Sequence, residues 1–169
     1  MRDHALIFAA GLGTRMQDLT LDKPKALLDV AGRPLIDHMM GYLERGGVRH
    51  FVVNTHHHAD VLETYLSQQQ RDITLSDERG ELLETGGGLM KAQALLPQDA
   101  PFLIANSDVI FEDDNAHGVS LLMDAWNGEE MDCLLLLVPK ENALGHEGAG
   151  DFFMDADGRL NPRGDAPSA

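Results

Sequence analysis

The chain has 169 residues, 43% of them hydrophobic, which is the size of one domain and enough apolar material for a single core. Thirteen Lys and Arg stand against 28 Asp and Glu, and the resulting formal charge of −15 opposes nucleic acid and anionic membrane as partners. An anionic small molecule is compatible with that balance, because salt screens a distant negative field over roughly 8–10 Å and a local cluster of cations can outweigh it.

In chain order, HALIFA (4–9) reads as a short buried strand. The opening residues around it lack the long apolar core of a signal peptide, and no run reaches the roughly 18 apolar residues of a membrane span, so a cytoplasmic location is expected. A long stretch without periodicity follows, and such loops are usually functional when they are not disordered. From Pro34, PLIDHMMGYLERGG places Leu35, Ile36, Met39, Met40 and Leu43 on one helical face, with Gly46 and Gly47 at the stop. The two methionines are read as core filling.

HFVVNT (50–55) is a second strand, and HADVLETYLSQQQ (58–70) is a helix with Val61, Leu62, Tyr65 and Leu66 at helical spacing. Between them, His56, His57 and His58 are consecutive imidazoles that point in different directions, a poor set for a single ion. DITLSDE (72–78) returns as a strand, and TGGGLMKAQALLP (85–97) is a helix entered through glycines and ended by Pro97. PFLIANSD (101–108) is another buried strand, ending on Asp108. Residues 119–126 form a helix, and MDCLLLLV (131–138) reads as a strong central strand that buries Cys133 as an inert thiol. With one cysteine no intrachain disulfide forms. FFMDADGRL (152–160) turns as a hairpin on Asp157-Gly158.

Strands alternating with helices predict an α/β fold: a Rossmann-like, mostly parallel sheet with helices on both faces, in one folded unit over 1–169. In such sheets ligands sit beyond the carboxyl ends of the strands, where the loop after the first strand, the ETGGG turn and the NSD turn would converge. Gly11 and Gly13 directly follow the first strand, so backbone N–H groups can face an anion with no side chain in the way. Thr14 and Arg15 add a hydroxyl and a planar cation, and Lys25, after Pro24, adds a second. The outline is a polyphosphate cradle. G11-L-G13-T-R-M16 lacks the third glycine of a dinucleotide fingerprint, which disfavours an NAD-dependent oxidoreductase, and no GxxxxGK(S/T) run exists in the chain.

FAAGLGTRMQDLTLDKPKALLDVAGRPLI resembles the signature of the sugar-1-phosphate nucleotidyltransferases, (L/F)AAGxGTRMxxxTxxxPKxLxxVxGxPL(I). The similarity continues through VVNTHHHADVLETYL, LLETGGGLMKA, PFLIANSDVIF and GDFFMDADGRL. The LETGGG form followed by GDF is most similar to the N-acetylmuramate 1-phosphate uridylyltransferases of cell-wall recycling, and less similar to the mannose-1-phosphate guanylyltransferases.

This resemblance implies the nucleotide-diphospho-sugar transferase fold, and Mg²⁺-dependent nucleotidyl transfer from a nucleoside triphosphate, UTP by the nearer likeness, to a sugar 1-phosphate, with pyrophosphate leaving. It implies Arg15, Lys25 and Asp108 as catalytic residues. Nucleotide binding falls to Ala10, Gly11, Gly13, Thr14, Arg15, Glu84, Thr85, Gly86 and Asn106, with Ser107 lining the same pocket. Sugar binding falls to Glu84, Asn142 and Asp151, and the metal to Asp108. Plainer readings stand beside these: Asp108 as a turn residue after a strand, and Thr85 as the opening of a helix. The family's second Mg²⁺-binding aspartate, near a Trp-x-Asp-Val-Gly-Thr stretch beyond GDF, has no counterpart here, so a chain lacking the family's C-terminal part is expected. A non-catalytic nucleotide-sugar-binding module is the alternative that this gap favours. Neither the identity of base and sugar nor the oligomeric state follows from the sequence.

Overall fold

The computed structural model describes residues 3–113, 117–145 and 147–166. The chain divides into two compact units, Met1–Leu134 and Leu135–Ala169.

The first unit is built on a four-stranded parallel sheet of β1 (His4–Phe8), β4 (His50–Thr55), β5 (Asp72–Asp77) and β6 (Leu103–Asn106), in the order β5-β4-β1-β6. Two-residue strands β2 (Asp29–Val30) and β3 (Arg33–Pro34) form a small antiparallel ladder beside it in sequence. The central strands are apolar on both sides because both faces are covered. Ala5, Ile7, Phe51 and Val53 pack with residues of α1 (Leu35–Arg45), α2 (Ala59–Ser67) and α4 (His117–Ala125) on one face. On the other, Leu6 and Val52 pack with Ala92 of α3 (Thr85–Ala92) and with Leu96. The predicted α/β sheet with helices on both faces is present.

Helix α1 follows its apolar spacing closely: Leu35, Ile36, Met39, Met40 and Leu43 are all buried, and the helix stops before Gly46. Gly47 takes φ +102°, a left-handed turn that lets its N–H reach the Glu44 carbonyl at 3.0 Å. Gly46 is needed for a different reason. A Cβ there would lie 2.3 Å from Val119 Cγ1, so α4 packs directly on the end of α1. Replacing Gly46 by alanine is expected to destabilise the fold by about 1–3 kcal/mol through overpacking, read as a lower denaturation midpoint with an unchanged slope.

Three expectations shift. In α2, Leu62 and Leu66 are buried but Val61 is 40% exposed, and Tyr65 is half-buried with its hydroxyl donating to Asp37. Strand β6 ends at Asn106, so Asp108 sits in the turn beyond the strand rather than at its last position. The third concerns residues 131–138, which form no strand, and Leu135 through Val138 are exposed. Cys133 is exposed with them rather than buried. An apolar, branched composition suits a half-buried pleat, but it makes a strand only where a neighbouring ladder and a covering layer exist. No described strand pairs with these residues.

In the second unit, β7 (Phe152–Met154) pairs antiparallel with β8 (Leu160–Pro162). The turn is the predicted one: Asp155 Oδ1 accepts the N–H groups of Asp157 and Arg159, and Gly158 takes φ +79°. Among the described residues no helix is long and apolar enough to cross a membrane.

Candidate active site

Strands β4 and β5 lie on one side of β1 and β6 on the other, so the order of the sheet reverses between β1 and β6. A crevice opens beyond the carboxyl ends of those two strands, as expected at a topological switch point. It is a half-open cleft of about 420 Å³. The loop after β1 supplies Ala9, Ala10, Gly11, Arg15 and Lys25, the start of α3 supplies Glu84 and Thr85, and the end of β6 with the turn beyond it supplies Asn106, Ser107 and Asp108.

The loop after β1 is not shapeless. Thr14–Thr20 and Lys25–Leu27 are short 3₁₀ turns, with a break at Gln17 where φ is +46°. Gly13, at φ +65°, opens the first turn, and a Cβ on it would sit 3.0 Å from Thr20 Cγ2 and 3.3 Å from Lys25 Cβ. The glycine therefore lets the loop fold back so that Arg15 and Lys25 reach one cleft. Pro24 is extended at ψ 154° and starts the turn that carries Lys25. Gly11 meets nothing within 4 Å where its Cβ would be, so open space lies above its backbone.

Lys25 Nζ forms an ion pair with Asp108 Oδ2. The lysine side chain is 27% exposed and the aspartate 34%, so both remain accessible from the cleft. Because Lys25 engages only Oδ2, Asp108 Oδ1 is left as a hard oxygen donor. Such a carboxylate, completed by water and substrate phosphates, is the usual way a protein holds Mg²⁺, and the donor chemistry fits. Arg15 and Glu84 are exposed on the cleft wall, so the cations and carboxylates there balance two against two.

Gly13, Thr14 and Gly86 are outside the cleft lining, although Gly13 shapes the loop and Gly86 follows Thr85. Asn142 and Asp151 belong to the second unit, Asn142 in a 3₁₀ turn and Asp151 just before β7. Thr85 is the first residue of α3. His56 Nδ1 lies 2.7 Å from the Glu78 carbonyl, and the rings of His57 and His58 meet at 4.1 Å.

Two polar residues that the sequence reading passed over lie beneath the loop. Asn54, 3% exposed, accepts the N–H groups of Ala9 at 2.6 Å and Ala10 at 3.2 Å through Oδ1. Its amide donates to Glu78 Oε1 at 2.9 Å, and Glu78 is wholly buried. A Cβ at Gly88 would lie 3.0 Å from that oxygen and 3.1 Å from Asn54 Nδ2, so the last glycine of TGGG makes room for this pair. The signal available in the sequence was an Asn closing the otherwise apolar run HFVV.

The fold and the crevice define an α/β protein with two cations and two carboxylates at a cleft large enough for a small-molecule ligand. The family described as nucleotidyl transferase matches residues 4–146. The chain belongs to that family, in agreement with the resemblance read from its sequence. It is 44% identical over 159 residues to the N-acetylmuramate alpha-1-phosphate uridylyltransferase of Caulobacter vibrioides, a match covering 91% of this chain and 65% of the relative. It is 38% identical over 118 residues to the mannose-1-phosphate guanyltransferase beta-B of Xenopus laevis, covering 64% of this chain and 32% of that one. The chain thus spans less than two-thirds of the length of these relatives. The solved UDP-glucose pyrophosphorylase from Acinetobacter baumanii shares the fold, with a TM-score of 0.67 at 19% identity, over 77% of this chain and 54% of that one.

Proposed function

We propose that the protein transfers a nucleotidyl group from UTP to N-acetylmuramate 1-phosphate, with Mg²⁺, giving the nucleoside-diphosphate sugar and pyrophosphate in the reuse of cell-wall sugars. The observation that carries this is the meeting of Arg15, Lys25 and Asp108 in one cleft at the β1/β6 switch point. The choice of UTP and of this sugar rests on the Caulobacter vibrioides relative. The reaction belongs where nucleoside triphosphates are made, which puts it in the cytoplasm.

An oxygen of the sugar phosphate attacks the α-phosphorus, a P–O bond forms, and the bond to the β-phosphate bridging oxygen breaks. The nucleophile is already anionic near neutral pH, since the second ionisation of a phosphate monoester lies near ~6, so no general base is needed. The work is to hold two polyanions together and to stabilise charge as it moves to the leaving group. Lys25 neutralises the reacting phosphates, and Arg15 holds the β and γ groups. Gly11, Gly13 and Thr14 cradle the triphosphate, and Ala10, whose N–H is held by Asn54, lines the cleft beside them. Asp108 would hold Mg²⁺, which would supply charge neutralisation to the phosphates. Glu84, Thr85, Gly86 and Asn106 serve the nucleoside and Glu84 also the sugar, while Asn142 and Asp151 are the sugar-binding candidates of the second unit.

The Xenopus laevis relative supports a second specificity, a guanylyl group delivered to mannose 1-phosphate. Pyrophosphate release distinguishes them. The protein is given UTP or GTP with Mg²⁺ against N-acetylmuramate, N-acetylglucosamine, glucose and mannose 1-phosphates. Turnover with UTP and N-acetylmuramate 1-phosphate supports the reading, and preference for GTP and mannose 1-phosphate replaces it. Nucleotide binding without turnover in any pair reduces the protein to a nucleotide-sugar-binding module.

A further inference from the structure

A second cluster of metal-ligating groups lies at the opposite edge of the sheet, at the amino ends of the strands. His4 of β1 pairs in register with His50 of β4, and His50 with Asp72 of β5, so three adjacent strands present these side chains in one row. Asp3 precedes the row, and its carbonyl accepts the N–H groups of Arg49 at 2.8 Å and His50 at 3.0 Å, which fixes it against β4. The His4 and His50 rings stack, with centroids 4.5 Å apart and planes 24° from parallel.

The contacts around His50 decide what the row can do. Its Nδ1 lies 2.6 Å from Asp72 Oδ2, and an N–H donated there leaves the lone pair on Nε2. That Nε2 faces Asp3 Oδ2 at 3.9 Å, too far for a hydrogen bond. Protonation of Nε2 or a metal ion between the two relieves that contact. The other Asp3 oxygen lies 3.0 Å from His4 Nδ1. Asp3 thus turns one carboxylate oxygen to each imidazole.

We propose that Asp3, His4 and His50 form a site for a divalent cation of the zinc class, with Asp72 orienting His50. One ligand atom from each lies within 4.8 Å of the others, and a tetrahedral ion with bonds near 2.1 Å needs edges of roughly 3.4 Å, a contraction that side-chain rotation supplies. Imidazole nitrogens beside a carboxylate favour Zn²⁺ over Mg²⁺, which prefers all-oxygen ligands, so the site is chemically separate from Asp108. A carboxylate on the second ring nitrogen of a ligating histidine is the usual means of fixing its tautomer. The row spans three adjacent strands, so an ion held by Asp3, His4 and His50 would tie the start of β1 to that of β4, with Asp72 of β5 attached through His50.

The test is calorimetric titration of the chelator-stripped full chain with Zn²⁺ alone. One ion per chain is expected, with affinity lowered at least about tenfold by His50→Ala or Asp3→Ala, and by about 10–100-fold for Asp72→Asn, which acts through the ring. The double variant His57→Ala, His58→Ala is expected to bind as the parent does, and circular dichroism confirms that each variant is folded. Zinc bound at full strength by His50→Ala, or lost in the His57/His58 variant, overturns the assignment. So does an absence of binding together with ring nitrogen chemical shifts that mark His50 as an imidazolium bridging Asp3 and Asp72.

Discussion

Replacing Lys25 by alanine is expected to lower the rate of the proposed pyrophosphate release by about 10²–10³-fold, because a preorganised charge aimed at developing phosphate charge contributes on that scale. The fold is expected to persist, since the Lys25–Asp108 pair is partly solvated and such pairs contribute about 0–1 kcal/mol. A melting temperature within about 4 °C of the parent follows. Asp108→Ala is expected to be comparably slow, with the distinguishing sign that more Mg²⁺ is needed for half-maximal rate. Steady-state kinetics with varied Mg²⁺ separates the two variants. If either variant turns over at the parental rate, the residue is only one half of a surface ion pair.

The ion pair also bears on how the crevice is kept ready. In the proposed reaction two like-charged substrates enter a chain whose formal charge is −15, and Asp108 holds Lys25 beside the cleft instead of letting it extend into solvent. The same carboxylate keeps its second oxygen clear of Lys25, available to the proposed metal. Lys25 and Asp108 thus restrain each other before substrate arrives, which reduces the ordering that binding must impose.

Those elements whose fate was settled locally were legible in the sequence. Helix α1 carries its apolar face and its glycine stop within about a dozen residues, and the β7–β8 turn carries Asp157 and Gly158 at the bend. The cleft cations were legible too, because Gly13, Arg15, Pro24 and Lys25 fall in one unperiodic stretch. Residues 131–138 failed for the converse reason: a leucine run states a need for burial but not which neighbour meets it. Asn54 and Glu78 failed because their partners are 24–45 residues away in sequence, so no local spacing connects them.

Asn54→Leu is expected to be the most destabilising single change near the site, on the order of 3 kcal/mol or more. Leucine matches the volume but strands three buried groups: the N–H of Ala9, the N–H of Ala10 and Glu78 Oε1. Among the described residues Glu78 Oε2 is already buried with no partner, so removing the Asn54 amide leaves a fully buried carboxyl with no side-chain donor among them. Asn54→Asp retains an acceptor for the two amides yet sets a second carboxylate against Glu78, and it is expected to lose nearly as much. Glu78→Gln keeps an acceptor for Asn54 and is expected to be the mildest of the three. Urea denaturation gives the order, and titration with nucleotide at a temperature where all remain folded gives its consequence for binding. The loop that carries Gly11 to Lys25 starts at the two amides Asn54 holds, so Asn54→Leu should weaken nucleotide binding even where the fold survives. An Asn54→Leu protein with parental stability and nucleotide affinity would show that the loop holds its own shape and that the buried Asn54–Glu78 pair is incidental to it.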